Sequence, residues 1–185
     1  MPEDADNDLQ RLERALAACQ DLQELAYKYG INDIFQDNGG KVLQTLIVLG
    51  LKSKPGREGN DAVDDEGNEY ELKTVNTALG KSRGITTHHH LNLTILAKYR
   101  QVKAWYIALY DGIILQEIFR IEPIDLKEVF DGWEKRLNET EDRPINNPKI
   151  PMRVVRKGKT VYPTETPQQA QLLPPSSPVR DDVEN

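Results

Sequence analysis

Cysteine is almost missing from this 185-residue chain. The one present, Cys19, excludes an internal disulfide and suits a reducing cytoplasm. It falls on the apolar side of a helical pattern, where a small buried residue is expected rather than a nucleophile. Long apolar runs are missing too. None approaches the ~20 residues needed to cross a bilayer, so no membrane association is expected. The opening Met1-Pro2-Glu3-Asp4 has neither a basic region nor an apolar one, so no export signal is read and a cytoplasmic location is expected. Histidine is confined to one run, His88-His89-His90, and no internal repeat is evident.

An overall excess of positive charge is also lacking, since the formal net charge is −6. That would argue against a nucleic-acid binder if the charge were evenly spread. It is not. Residues 1–8 carry −4 and residues 163–185 carry −3, which leaves the body at +1. A near-neutral body can hold a basic cleft, so composition permits a nucleic-acid partner without requiring one. With 38% hydrophobic and 29% charged residues, the body reads as one soluble domain over 9–162. The acidic stretch 1–8 reads as flexible. The Pro-rich acidic tail 163–185 reads as disordered.

Along the body, apolar residues from Leu9 to Tyr29 recur at helical spacing, with Gly30 as a C-cap. This amphipathic helix could pack on the core or face a partner. Asn38-Gly39-Gly40 reads as a break. Val42 to Leu49 reads as a deeply buried helix closed by Gly50. Asn76 to Gly84 reads as a polar loop, and Leu93 to Tyr99 as a short helix. Ala104–Tyr110 and Ile113–Ile121 form a hairpin through Asp111-Gly112. Pro123 sits at a helix N1 position, and Leu126, Val129, Phe130, Trp133 and Leu137 continue the helical period. Pro144 to Pro148 reads as a loop. Met152–Arg156 and Thr160–Tyr162 read as a last strand pair turning at Gly158. Irregular alternation of helices and hairpins indicates an α/β domain, α+β-like, with a mixed sheet.

The stretch Asn60 to Lys73 is the most chemically suggestive. It reads as two extended runs joined by an Asp/Gly/Asn turn. Alternate residues of a strand share a face, so Glu71 and Lys73 point the same way. The turn would bring Asp61 beside them. Two carboxylates suit a hard cation such as Mg²⁺. A lysine beside that cation could orient or activate an attacking water, or neutralise charge building on phosphorus. The expected reaction is metal-dependent cleavage of a phosphodiester. By spacing alone the pattern is common, and a solvated charged hairpin would look the same.

Other residues add to this. In an extended segment His88 and His90 would face one way and His89 the other, a poor metal set but a usable surface for base edges and phosphates. Asn146 and Asn147, before Pro148, suit simple turn chemistry or a bidentate amide contact with adenine. Asp37 could close an Asx turn or make a polar groove contact. Tyr99 reads as a half-buried aromatic whose hydroxyl could reach the water shell of a metal.

Several runs together resemble the PvuII restriction endonucleases, small homodimeric type II enzymes of the PD-(D/E)xK nuclease superfamily. They are Gly30-Ile31-Asn32-Asp33-Ile34-Phe35-Gln36-Asp37-Asn38-Gly39-Gly40-Lys41, Pro55 to Asp64, Glu69-Tyr70-Glu71-Leu72-Lys73, Thr87-His88-His89-His90, Ala97 to Val102, and Ile145 to Pro151. The resemblance implies metal ligation by Asp61 and Glu71 with the Leu72 carbonyl, Lys73 as the motif lysine, Glu58 as an accessory acid, and Tyr99 beside the scissile phosphate. It implies a DNA-reading set of His88, His89, His90, Asn146 and Asn147 in the major groove, with Asp37 on the minor-groove side. It also implies a dimerisation part over 9–54, a catalytic part over 55–110 and a recognition part over 111–162. The expected activity is a type II site-specific deoxyribonuclease. It would act as a homodimer on double-stranded DNA, cutting the palindrome CAGCTG at its centre with Mg²⁺ to leave blunt ends. A cognate DNA methyltransferase is expected genetically as the other half of a restriction-modification system. The chain departs from the superfamily pattern at Asn60, where proline is usual. Its loop before the histidines is about two residues longer, a change that loops tolerate. The tail from Pro163 has no counterpart. Two other readings remain: a repair or recombination nuclease selecting DNA shape, and a DNA-binding module that no longer cuts.

Overall fold

In chain order the elements are α1 (Asp8–Tyr27), α2 (Gly39–Leu49), β1 (Lys52–Ser53), β2 (Ala62–Val63), β3 (Glu69–Asn76), β4 (Gly84–Thr86), β5 (His90–Leu91), α3 (Leu93–Gln101), β6 (Ala104–Asp111), β7 (Ile114–Ile121), α4 (Lys127–Glu139), β8 (Ile145–Asn146), β9 (Lys149–Pro151), α5 (Met152–Val155) and β10 (Lys159–Tyr162). The computed structural model describes residues 8–54, 61–79 and 84–163. Short 3-10 turns occupy Gln36–Asn38, Thr77–Leu79 and Pro123–Leu126.

A mixed six-stranded sheet runs β1-β2-β3-β6-β7-β10. Among the described residues only β3 and β6 pair in parallel, from Tyr70↔Ala104 to Asn76↔Tyr110. That crossover carries α3, as a parallel connection requires. Strand alternation divides the sheet faces. Tyr70, Leu72 and Ala104 pack with Leu46 and Leu51 on the side of α2. Trp105, Ile107 and Leu109 pack with Leu96, Tyr99, Phe130 and Leu137 on the side of α3 and α4. Glu71 and Lys73 are odd-numbered residues of β3 and so fall on this second face. The closest aromatic pair described there is Tyr99 against Trp105, with centroids 4.6 Å apart at 74°. Burying such a side chain stabilises the fold by ~2 kcal/mol or more.

Two further ribbons lie outside the main sheet, β4 with β9 and β5 with β8. They correct three sequence expectations. Gly84 belongs to a strand rather than a loop, because a Cβ there would sit 2.8 Å from the Ile150 carbonyl oxygen. Ile145–Asn146 is a strand within the expected loop. Met152–Val155 is a helical turn rather than a strand, which drives Val155 into the core beside Ile150. Tertiary packing overrides β propensity there. Gly39 and Gly40 open α2 instead of breaking the chain, since a Cβ on Gly39 would run into the Asp33 carbonyl. Helix α2 buries Leu43 and Leu46 but leaves Ile47 exposed, so it is one-sided rather than deeply buried.

Helix α1 is joined to the body at its C-terminal end. Gln23 accepts from the Ile34 amide at 2.9 Å and donates to the Ile31 carbonyl at 3.1 Å. Ala26 packs with Ile34 and Leu43. Further out, Leu9, Leu12, Leu16 and Leu22 are 61%, 53%, 44% and 40% exposed. The outer part of the apolar stripe read from the sequence is therefore not covered by the described residues. No helix among them is long and apolar enough to cross a membrane.

Candidate active site and reading surface

The hairpin of β2 and β3 is set by one side chain. Asp64 accepts from the amides of Glu66 at 3.0 Å and Asn68 at 2.9 Å, and from the Asn68 side-chain amide at 2.8 Å and the Tyr70 hydroxyl at 2.9 Å. Donors converging on the ionised form, Asn68 first, hold this carboxyl far below the usual carboxylate range. The turn it closes fixes the register Ala62↔Tyr70 and Val63↔Glu69. Asp61, one residue before β2, then lies beside Leu72.

Asp61, Glu71 and Lys73 do converge. Lys73 Nζ lies 2.6 Å from Glu71 Oε1 and 3.4 Å from Asp61 Oδ2. The Leu72 amide donates to Asp61 Oδ2 at 3.0 Å. Glu69, three residues earlier, offers its carbonyl to the Lys103 amide just before β6. Strand alternation therefore turns the N–H and C=O of Leu72 to the other edge, toward Asp61. Glu71 is 3% exposed. Burial pushes its carboxyl up to about 7 despite the opposing pull of Lys73. Burial alone would lower the Lys73 ammonium, but the Asp61 and Glu71 carboxylates outweigh it and hold the proton on.

With both carboxylates ionised and the ammonium retained, this cluster would carry −1. It is an oxygen-donor set with a backbone carbonyl at its side, which fits a hard divalent cation. Among the described residues, no three His, Cys, Asp or Glu side chains converge. The other ligands of such an ion would have to be the Leu72 carbonyl, water and phosphate oxygen. Glu58 lies outside the described residues.

Tyr99 is 4% exposed, so it is buried rather than half-buried. Burial raises its hydroxyl well above the ordinary range, and the nearby Glu71 carboxylate adds to the effect. The hydroxyl donates to the Thr87 carbonyl at 3.0 Å.

The histidine run and the asparagine pair come together. His90 Nδ1 and Asn146 Oδ1 are 2.8 Å apart, and His89 Nδ1 and Asn147 Oδ1 are 3.1 Å apart. An amide oxygen only accepts, so each Nδ1 donates, leaving each Nε2 and each asparagine Nδ2 for another partner. His88 behaves differently. Its Nδ1 accepts from the His90 amide at 3.0 Å, which curls the run out of the plain extended form. Burial lowers its pKa, and the positive charge of Lys73 is among the lesser causes. Asn147 adopts φ +49, so turn chemistry and side-chain pairing hold at one residue. Asp37 also has positive φ, at +48, and is exposed. No hydrogen bond described ties it to either cluster.

A nuclease-type hairpin adjoins a paired His/Asn surface, and the model of the restriction endonuclease PvuII family matches residues 7–162. The chain belongs to the PvuII restriction endonuclease family. As a member it is a DNA-cleaving hydrolase of the type II site-specific kind, with a mixed α/β restriction endonuclease fold. Restriction endonucleases generally use divalent metal ions. Sequence reasoning did not single out Thr87, which is buried and bonded through its amide and hydroxyl to the Pro148 carbonyl. It lies inside a polar run, and nothing in the local pattern distinguishes it. Its burial and partners become visible only in three dimensions.

Proposed function

We propose that the protein is a homodimeric, Mg²⁺-dependent type II restriction endonuclease that cuts CAGCTG at its centre, leaving blunt ends. One observation carries this reading: Asp61, Glu71 and Lys73 converge beside a surface of His89, His90, Asn146 and Asn147. Asp61 and Glu71, with the Leu72 carbonyl, would hold the ion, and Glu58 would assist. When bound, the ion supplies Lewis acidity at the scissile phosphate. Lys73, held between the two carboxylates, would serve as a donor and positive anchor for phosphate oxygens. The Tyr99 ring closes the site against water. Each asparagine Nδ2 is a donor that suits guanine O6/N7 or adenine N7, and each outward neutral histidine Nε2 is an acceptor that suits an exocyclic base amine, with His88 at their border and Asp37 approaching from the minor groove.

The exposed leucines of α1 support a twofold dimer built through 9–54, and a palindrome suits such a dimer. The parts 55–110 and 111–162 would supply most of the cutting and reading residues respectively, in the cytoplasm of a cell that also encodes a cognate methyltransferase. Digestion of a plasmid with mapped CAGCTG sites in Mg²⁺ tests the reading. Discrete blunt fragments ending in CAG and CTG are expected. Nicking at branched junctions would replace it with a shape-selective nuclease, and binding without cleavage with an inert DNA-binding module. Leu12→Glu with Leu16→Glu should convert the dimer to monomer in sedimentation, and an unchanged dimer would contradict the α1 interface.

A further inference from the structure

We infer that Thr87 is a positioning residue that holds the reading surface in register with the cutting cluster. The inference rests on the site-specific cleavage proposed above. Ribbons β4·β9 and β5·β8 are one ladder with an irregular middle. From Thr86↔Lys149 to His90↔Asn146, one strand advances four residues while the other retreats three. The extra residue makes a bulge, a device that re-aims side chains beside active sites. His88, His89 and Asn147 all sit in it.

Pro148 lies opposite Thr87 and has no N–H, so the reciprocal ladder bond cannot form. Thr87 compensates on both of its backbone groups. Its amide and its hydroxyl both donate to the Pro148 carbonyl, at 3.0 and 3.3 Å. Its own carbonyl, left without a ladder donor from Pro148, accepts the Tyr99 hydroxyl. Tyr99 in turn feels the charges of Glu71, Lys73 and Asp61. Thr87 is 6% exposed, one of few polar residues buried in the described chain. The path from Asn147 through Pro148 and Thr87 thus reaches Tyr99 by short polar contacts, and the Tyr99 ring packs edge-on against Trp105, the register partner of Glu71.

Thr87→Val keeps the shape and removes the hydroxyl, while Thr87→Ser keeps the hydroxyl. Two readouts apply to the full-length protein. The first is hydrogen exchange at the Asn147 amide, which donates to the His89 carbonyl at 3.2 Å. The second is the ratio of Mg²⁺-dependent cleavage rates on the intact site and on single-base variants of it. Thr87→Val should speed exchange at Asn147 and lower the rate ratio about tenfold, on the scale of one misplaced base contact, with Thr87→Ser near wild type. Unchanged exchange, an equal rate loss on every site, or a serine variant that fails like valine would each overturn the inference. If the β6 amides show that Thr87→Val disturbs the core, Thr87→Ala replaces it under the same criteria. A wild type that does not discriminate between sites would sink the parent reading, and the exchange result would still decide the role of Thr87.

Discussion

The cutting hairpin and the reading ribbon are held by different physics. The hairpin is anchored by a parallel strand on one side, a buried carboxylate, and an ion pair with its partners 2.6 Å apart. The ribbon stands off the main sheet. His89, His90, Asn146 and Asn147 are all exposed and meet through single hydrogen bonds. On the proposed assignment, chemistry thus sits where burial fixes geometry and sharpens electrostatics, and choice sits where side chains can meet a partner. If this division holds, damage to one region should leave the other's property measurable.

The largest effect belongs to the hairpin. Lys73→Ala should lower cleavage by about a thousandfold or more, the scale for a lost charge at a phosphoryl centre, while binding of the site persists. Cleavage near the parental rate would refute the role of Lys73. The ribbon gives the next effect. Asn147→Ala should cost about 1–3 kcal/mol of discrimination, confined to one position in each half-site, with cutting of relaxed sites retained. A uniform loss at all sequences would mean that Asn147 only shapes the turn.

A pH effect should likewise be private to the hairpin. Glu71 is raised from 4.5 to about 7 in the fold. Between those values the folded chain keeps a proton that the unfolded chain has released. Stability of the metal-free protein should therefore fall as pH rises through this window, by on the order of 3 kcal/mol, with the loss complete above it. Urea midpoints across pH read this out, and Glu71→Gln should flatten the curve. An unaltered slope in that variant would assign the effect elsewhere. The smallest change is expected for Asp64→Ala, which loosens the turn from a distance. It should slow cleavage roughly threefold, about one weakened hydrogen bond, without altering site preference. A shifted preference would mean that the turn also reaches the ribbon.

The hairpin was legible in the sequence because strand alternation and turn chemistry are local. Asp61, Glu71 and Lys73 follow from a period of two and from Asp64-to-Asn68 turn residues. The parallel β3–β6 pairing was not legible, since no local pattern encodes a crossover partner. In the ribbon, the types His and Asn were suggestive, but their pairing across more than fifty residues was not readable. The helical turn at Met152–Val155 was hidden because β-branched residues there answer to core space rather than to propensity. The exposed leucines of α1 show the converse case. Their helical period was plain, but whether the chain itself covers them depends on tertiary placement.

The separation of cutting from choosing is tested most directly by sequencing every DNA end produced by the wild type and by Asn147→Ala in Mg²⁺. Wild-type ends should all fall blunt at the centre of CAGCTG. The variant's ends should stay blunt but spread to sites changed at one symmetric position. Wild-type ends scattered over unrelated sequences, or a variant that cuts only the parental sites with parental selectivity, would contradict the account.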